Sequence, residues 1–189
     1  FDKIVISTDS KYIFNNFNQK SVDCFFLRPK SLSSDTIGKL KVIQHALKKS
    51  EAYFGHNFDI IFDLDVTAPL RNISDIKNSY KKFIKEISNN LFSVCIARKN
   101  PYFNMIEIQN NKLKKVKNIK KEVYSRQNAP KVYEMNASIY IWKRSFLIKS
   151  NTIFSNKTSY YEMPQNRSID IDTSSDFSYV EFLINNNNK

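Results

Sequence analysis

The chain has 189 residues, 41% of them hydrophobic and 14% aromatic, and its 30 basic and 18 acidic residues give a net charge of +12. This composition is typical of one globular domain with a substantial core, and it argues against a disordered chain. No apolar run approaches the roughly 18 to 20 residues that span a bilayer, so we expect no membrane partner.

Strand-like and helix-like segments alternate along the first half of the chain. Short apolar runs predict strands at 3–7, 23–27 and 59–64. Apolar residues at helical spacing predict helices at 36–49 and 72–87. A Ser/Asp/Thr cluster before the first helix is its expected N-cap, and Ser74 is the expected cap of the second.

The second half of the chain is less regular. Residues 93–97 and 138–142 have strand patterns, whereas 99–133 are more typical of β-structure and loop than of a crossover helix. Strands that alternate with helices indicate an α/β fold with a mainly parallel sheet. The densest basic stretch, 112–121, contains no aromatic residue. We interpret it as a solvated face, ahead of an anion-attracting surface or a nucleic-acid site, and expect no nucleic-acid partner.

Polar residues follow several of the predicted strands. The three informative clusters are 7–9, 63–67 and 168–172. In an open parallel sheet, ligands bind beyond the carboxyl ends of the strands. The sequence therefore predicts that these clusters share one edge of the sheet.

Asp170 and Asp172 are the strongest metal-ligand candidates. On an extended segment, residues two apart present their carboxylates on one face, and two such carboxylates suit Mg²⁺, which also keeps waters and binds phosphates. The alternative is that 172–176 caps the final helix, where acidic residues are stabilising. The spacing by itself favours the capping interpretation.

Three further residues end predicted strands or follow them. Asp65 comes after the 59–64 strand and could bind a metal or a ribose hydroxyl, although a turn-stabilising role is equally consistent. Arg71 could hold a phosphate or carboxylate, or form a surface ion pair, and Arg28 presents the same choice.

Several classes of site are disfavoured by what the sequence contains. Gly38 and Gly55 are the only glycines, so neither a dinucleotide fingerprint nor a P-loop can be written. Two histidines make a histidine-rich metal site improbable. Cys24 and Cys95 lie far apart in apolar surroundings, which favours reduced thiols in a cytoplasmic protein over a disulfide.

Five motifs occur in the order seen in acylneuraminate cytidylyltransferases, across nearly the whole chain. They lie at 1–9, 28–36, 67–71, 136–140 and 163–177. The sequence therefore resembles this family of enzymes. The resemblance implies a three-layer, Rossmann-like nucleotidyltransferase fold, and transfer of CMP from CTP to a nonulosonic acid with release of pyrophosphate.

The resemblance also implies roles for individual residues. Asp170 and Asp172 match the Mg²⁺ carboxylates, which reverses the preference for capping. Arg28 matches a cytosine contact, Lys39 replaces a small hydroxyl residue near the base, and Asp65 stands where many sialate enzymes have Gln near the nucleotide and sugar. No residue is a convincing general base.

Substrate-binding roles follow from the same resemblance. Arg71 and Asn136 lie in matched motifs, and Glu134 takes the position where sialate-using relatives carry an Arg near the sugar. Lys39, Asp65 and the stretch 130–136 are more similar to the legionaminate branch than to the N-acetylneuraminate branch.

The resemblance further implies an organisation for the chain. Residues 99–133 match a β-rich excursion that forms the homodimer in relatives. The family's phosphate-binding loop lies upstream of the position that matches Phe1, so we expect 1–189 to be a single domain lacking its first strand and that loop. A CMP-Kdo synthetase and a non-catalytic dimerisation or nucleotide-binding module are the alternatives.

Overall fold

The structure is a computed structural model that describes residues 1–17, 19–34, 36–120 and 122–187. Its helices are α1 (Lys11–Asn16), α2 (Lys39–Phe54), α3 (Ile73–Lys85), α4 (Arg144–Leu147) and α5 (Ser174–Asn187). Its strands are β1 (Ile60–Leu64), β2 (Asn90–Ile96), β3 (Ile106–Gln109), β4 (Lys112–Lys115), β5 (Tyr133–Lys143) and β6 (Thr158–Glu162). Short 3₁₀ turns lie at Lys30–Leu32, Arg126–Asn128 and Gln165–Arg167.

The central sheet has four strands in the order β1-β5-β2-β6. β5 is antiparallel to both β1 and β2, and β2 is parallel to β6. The predicted parallel arrangement therefore holds for the directions of β1, β2 and β6, but it is wrong for β5. The physical reason lies in the excursion between β2 and β5, which returns the chain to the edge that β2 left, where Tyr133 pairs with Ile96.

One edge of the sheet therefore collects four strand ends. The carboxyl ends of β1, β2 and β6 lie there together with the amino end of β5. The α/β fold class predicted from the sequence is confirmed, and this edge is where such folds bind ligands.

Helices cover both faces of the sheet because adjacent strand residues point to opposite sides. On one face, Tyr140 and Trp142 of β5 pack with α2, which buries Leu40, Ile43 and Leu47. On the other face lies a second cluster of buried side chains, comprising Phe83 of α3 with Leu91, Ile139, Ile141 and Met163. This gives the three layers that were expected.

Both predicted helix caps are wrong. Gly38 precedes α2 without a side-chain cap, and Asp35 of the expected capping cluster lies outside the described residues. Asn72, rather than Ser74, caps α3: its side chain accepts from the Asp75 N–H while the Asp75 carboxylate accepts from the Asn72 N–H. This reciprocal capping box satisfies two N–H groups at once, which the hydroxyl of Ser74, the second residue of the helix, cannot do.

The first two predicted strands are present only as isolated parallel bridges, Val5 with Asp23 and Thr8 with Leu27. The β-structure expected within 99–133 is confirmed as the β3–β4 hairpin, whose turn residues Asn110 and Asn111 have φ of 50° and 57°. Lys121, at the end of the basic stretch, lies outside the described residues. Among the helices that the structure describes, none is long and apolar enough to cross a membrane.

Candidate active site

A cluster of charged side chains lies where β1 ends. Asp63 and Asp65 are two residues apart, so both carboxylates lie on the same side of the strand. Lys39, at the start of α2, donates from Nζ to Asp63 Oδ2 at 2.9 Å and to Asp65 Oδ2 at 2.5 Å. Its ammonium also lies 4.6 Å from the centre of the Tyr140 ring. A single ammonium thus bridges two carboxylates beside an aromatic face.

The charges in this cluster perturb one another. Burial lowers the pKa of Lys39, but the Asp63 and Asp65 carboxylates outweigh it and hold that pKa above its ordinary value. Burial raises the pKa of the Tyr140 phenol, and the Asp63, Asp65 and Asp170 carboxylates add to that rise. The Asp170 carboxylate thus acts on the same phenol as Asp63 and Asp65, the two carboxylates that contact the Lys39 ammonium.

The segment that carries Asp170 is pinned against the loop after β1, because the Ile171 N–H donates to the Thr67 carbonyl at 2.9 Å. Asp170 Oδ1 is buried and has no hydrogen-bond partner among the residues that the structure describes. A buried carboxylate oxygen without a donor is costly unless a cation or water meets it. Asp170 thus fits the chemistry of a metal ligand.

The start of α5 is capped by other groups. The Asp176 carboxylate accepts from the Thr173 N–H at 2.8 Å, and the Thr173 hydroxyl accepts from the Asp176 N–H at 3.2 Å. The Thr173 hydroxyl and backbone hold the pKa of Asp176 below its usual range. The capping predicted for 172–176 is therefore performed by Thr173 and Asp176, and the exposed Asp172 side chain is not needed for it.

Two carboxylates do not enclose a metal ion by themselves. In the described part of the chain, no group of three or more His, Cys, Asp or Glu side chains is placed to hold one. Mg²⁺ commonly binds through one or two carboxylates and completes its shell with water and substrate phosphates. The residues present fit a metal that binds together with a phosphate-bearing substrate.

Arg71 shapes the loop after β1. Its Nη1 donates to the carbonyls of Asp65 at 2.6 Å, Ala68 at 2.9 Å and Ser138 at 3.2 Å. Burial lowers its pKa, and the Asp65 and Asp63 carboxylates oppose that effect. One side of the guanidinium is thus committed to fixing the loop against β5, and contact with a substrate stays a prediction.

Arg28 lies at the parallel bridges formed by the first part of the chain. Its Nη2 is 3.0 Å from Asp9 Oδ1, and its Nε donates to the Ser33 hydroxyl at 3.3 Å. The hydrogen bond from Arg28 holds the pKa of Asp9 below its ordinary value. Among the described residues its side-chain contacts are with these two groups, so the structure does not bring Arg28 into the Lys39 cluster.

Asn136 ties three segments together at the amino end of β5. Its Oδ1 accepts from the Ser93 hydroxyl at 2.6 Å, and its Nδ2 donates to the Ser168 hydroxyl at 2.8 Å. The side chain is only 4% exposed, and the next residue, Ala137, has φ of 51°. The predicted substrate residue thus supports the loop that leads to Asp170.

Glu134 lies in the same strand, β5, two residues before Asn136, and pairs with Cys95 of β2. The Cys95 thiol donates to Glu134 Oε1 at 3.3 Å, and burial together with this carboxylate raises the pKa of Cys95 to about 11. The thiol therefore stays protonated and donates to Oε1, and Glu134 Oε2 accepts no hydrogen bond from any residue that the structure describes. Both cysteines are free, as expected, with Cys95 buried and Cys24 half-buried.

The structure thus brings Lys39 and Asp65 together, and it holds the segment that carries Asp170 against the loop that follows Asp65. Sequence reasoning included Asp63 only as part of the 63–67 cluster, without a role, and it missed Tyr140; both residues contact Lys39. A detectable signal for Asp63 was its spacing of two residues from Asp65 on a predicted strand. Tyr140 gave no such signal, because an aromatic residue in a buried strand is ordinary core.

Comparison with known proteins gives a consistent family. The family model described as cytidylyltransferase matches residues 1–188. The chain is 43% identical, over its whole length and 79% of the relative, to "Post-translational flagellin modification protein B" of Campylobacter coli. It is 44% identical, over 97% of the chain and 77% of the relative, to the CMP-N,N'-diacetyllegionaminic acid synthase of Campylobacter jejuni. It is 26% identical, over 97% of the chain and 78% of the relative, to a pseudaminic acid cytidylyltransferase of that species.

Proposed function

The chain belongs to the cytidylyltransferase family, and from that premise we propose that it transfers CMP from CTP to a nonulosonic acid of the legionaminic acid type. The observation that carries the proposal is Asp170 Oδ1, which is buried without a hydrogen-bond partner among the described residues, on a segment held to the loop after β1 by the bond from the Ile171 N–H to the Thr67 carbonyl. That edge of the sheet is where an α/β fold binds nucleotides. Pyrophosphate is the second product.

We propose Mg²⁺ as the metal, held by Asp170 and Asp172. When bound, it offsets charge on the CTP phosphates and helps to orient the in-line displacement. The protein's part is to keep both carboxylates free of competing hydrogen bonds. The capping bonds of Thr173 and Asp176 support this, because they leave the Asp172 side chain free.

The nucleotide is proposed to lie along the loop after β1. Lys39 holds the Asp65 carboxylate through Oδ2, which leaves Oδ1 to accept a hydrogen bond from a ribose or sugar hydroxyl. Arg71 fixes the loop that carries Asp65 through its three carbonyl contacts. Arg28 is proposed to reach the cytosine by exchanging its Asp9 contact for the base.

The sugar is proposed to lie near the amino end of β5, beside Glu134 and Asn136. Because Glu134 would repel the sugar's own carboxylate, it is better suited to accept from an amide N–H. A diacetylated sugar offers two amide N–H groups, whereas N-acetylneuraminate offers one. The name of the Campylobacter jejuni relative supports the diacetylated substrate.

The test is a comparison of kcat/KM for N,N'-diacetyllegionaminic acid and N-acetylneuraminic acid, with CTP and Mg²⁺, in the protein expressed from its complete coding sequence. We expect the diacetylated sugar to be used at least about tenfold better. Glu134→Gln should reduce that ratio, while Glu122→Gln, an exposed glutamate in the 99–133 excursion, should leave it unchanged. A preference for N-acetylneuraminic acid would refute the substrate assignment.

The protein is also proposed to work as a homodimer in the cytoplasm, where CTP is available. The β3–β4 hairpin supports the dimer, since Ile106, Ile108 and Leu113 are 63%, 73% and 68% exposed. Exposed apolar side chains grouped on one short hairpin are typical of an association surface.

A further inference from the structure

Asp75 is a carboxylate with no exposed surface, in the first turn of α3. Its two oxygens accept from Arg167 Nε at 2.9 Å and from Arg167 Nη2 at 2.8 Å. They also accept from the Asn72 N–H at 3.0 Å and from the Tyr161 hydroxyl at 3.5 Å. The planar, two-point pairing fixes the orientation of the guanidinium as well as its position.

Arg167 closes the 3₁₀ turn that leads directly to the segment 168–172. The neighbouring contacts of this turn are neutral: Gln165 donates to the Ile96 carbonyl at 2.7 Å, and Asn136 donates to the Ser168 hydroxyl at 2.8 Å. The pairing with Asp75 adds an ionic anchor three residues before Asp170. It joins the segment to a helix that is 92 residues away in sequence.

Stability alone does not account for this pair. An ion pair with a fully buried carboxylate contributes little net stability, because desolvation of Asp75 offsets much of its attraction to the guanidinium of Arg167, whose side chain is 32% exposed. The capping box of α3 needs only Asn72 and the Asp75 carboxylate, and it would form without Arg167. What the guanidinium adds is a fixed position for the chain that follows it.

We infer that Asp75 and Arg167 are positioning residues that set the place of the Asp170 and Asp172 carboxylates. The use made of those carboxylates rests on the proposed function, whereas the positioning itself does not. Residues that orient metal ligands without touching the metal are typically worth about ten- to a hundredfold in metal affinity.

The test compares Arg167→Gln and Arg167→Lys with the control Arg144→Gln. Arg144 makes the same two-point pair, with Glu51, at the opposite edge of the sheet. Hydrogen exchange of 168–172 is measured in the metal-free protein, and activity is then titrated with Mg²⁺. We expect faster exchange in both Arg167 variants and about a tenfold higher Mg²⁺ requirement. Arg144→Gln should match the wild type in both measurements.

Arg167→Lys keeps a positive charge beside Asp75 but cannot form the two-point pair. This variant therefore distinguishes a loss of positioning from a general loss of folding. Exchange within β2 and β5 reports on the fold and should stay at the wild-type level in this variant. Wild-type exchange at 168–172 together with a wild-type Mg²⁺ requirement in Arg167→Lys would overturn the inference. Faster exchange at 168–172 in a protein that transfers CMP to no sugar would support the positioning and refute the proposed function instead.

Discussion

Lys39 offsets the repulsion between two carboxylates at the end of strand β1. Its ammonium contacts the carboxylates of both Asp63 and Asp65 and lies 4.6 Å from the centre of the Tyr140 ring. The side chains of Lys39, Asp63 and Asp65 are 32%, 26% and 32% exposed. Partial exposure to solvent weakens the attraction of Lys39 to each carboxylate. If the lysine is removed, however, nothing offsets the repulsion between the Asp63 and Asp65 carboxylates.

Lys39→Met should therefore destabilise the protein by about 1–3 kcal/mol, the range for leaving a polar group without its hydrogen-bond partner. Because the folded-state pKa of Lys39 is raised, its contribution is fully present below the ordinary value of 10.5 and is lost only at higher pH. The difference in unfolding free energy between wild type and variant should thus be constant from pH 6 to pH 9. Urea denaturation measures it, with the exposed Lys41→Met as the control; equal stability of the two variants would contradict the role of Lys39.

Asp172→Asn tests the metal carboxylates, again in the protein expressed from its complete coding sequence. We expect kcat for CMP transfer to fall by about a hundredfold or more, because metal stabilisation of phosphoryl charge is worth several kcal/mol. Asp176→Asn is the matched control, since that residue caps α5 and should affect thermal stability rather than turnover. Turnover near the wild-type level for Asp172→Asn at saturating Mg²⁺ would remove this residue from the site.

Asp75 should govern part of the acid sensitivity of the fold. Burial raises its pKa, but the Arg167 and Asn72 hydrogen bonds prevail and hold it below the ordinary value of 3.8. Its stabilising contribution is therefore present above that value and is lost as pH falls through the folded-state pKa. Below pH 4, the fraction of folded protein should therefore fall less steeply with pH in Asp75→Asn than in wild type, as measured by circular dichroism. Identical acid-unfolding curves for the two proteins would contradict this role of Asp75.

At the scale of the element, β5 is regular except at its amino end. Ala137 has φ of 51°, and the pairing register with β2 shifts between Phe92 and Val94. The irregularity turns Asn136 inward, where it meets Ser93 and Ser168. A strained residue thus places the side chain that supports the metal-ligand segment.

Ala137→Val should destabilise the protein by about 1–3 kcal/mol, because a β-branched side chain is strongly disfavoured at positive φ. Ala137→Gly removes the strain and should cost much less. Thermal denaturation of both variants decides the point. Equal stability of the valine and glycine variants would show that the positive φ is not a constraint.

The same scale shows why the caps were predicted wrongly. Ser74 has the right chemistry for a cap, but Asn72 and Asp75 form a reciprocal pair that begins the helix earlier. The residue that acts as N-cap is the last one before the chain adopts the helical conformation, and the amino-acid composition of the segment does not determine where that happens. α1 was missed because its six residues bury no side chain.

At the scale of the whole molecule, the β3–β4 hairpin projects an apolar face. Ile106 and Ile108 are two residues apart, and Leu113 pairs directly with Ile108, so all three lie on one side. Ile108→Asp should convert the proposed dimer to a monomer, as measured by light scattering after size exclusion. Glu107→Lys, on the opposite side of β3, should remain dimeric, and a dimeric Ile108→Asp variant would place the interface elsewhere.

The sequence alone determined the elements whose signals are local. Apolar spacing predicted α2, α3 and β1, whereas the placement of the Asp170 and Asp172 carboxylates on one side of their segment stays a prediction from their two-residue spacing. These features depend on residues a few positions apart, so periodicity suffices to find them. The family resemblance then supplied a function that no single motif established.

The tertiary structure decided what depends on strand order and direction. The reversal of β5, the meeting of Lys39 with Asp63, and the pairing of Asp75 with Arg167 join segments that are far apart in sequence. No local pattern records such contacts, because each residue alone is equally compatible with a solvated surface. They exist because burial of both faces of the sheet fixes which strands are neighbours, and their polar ends are then forced to meet.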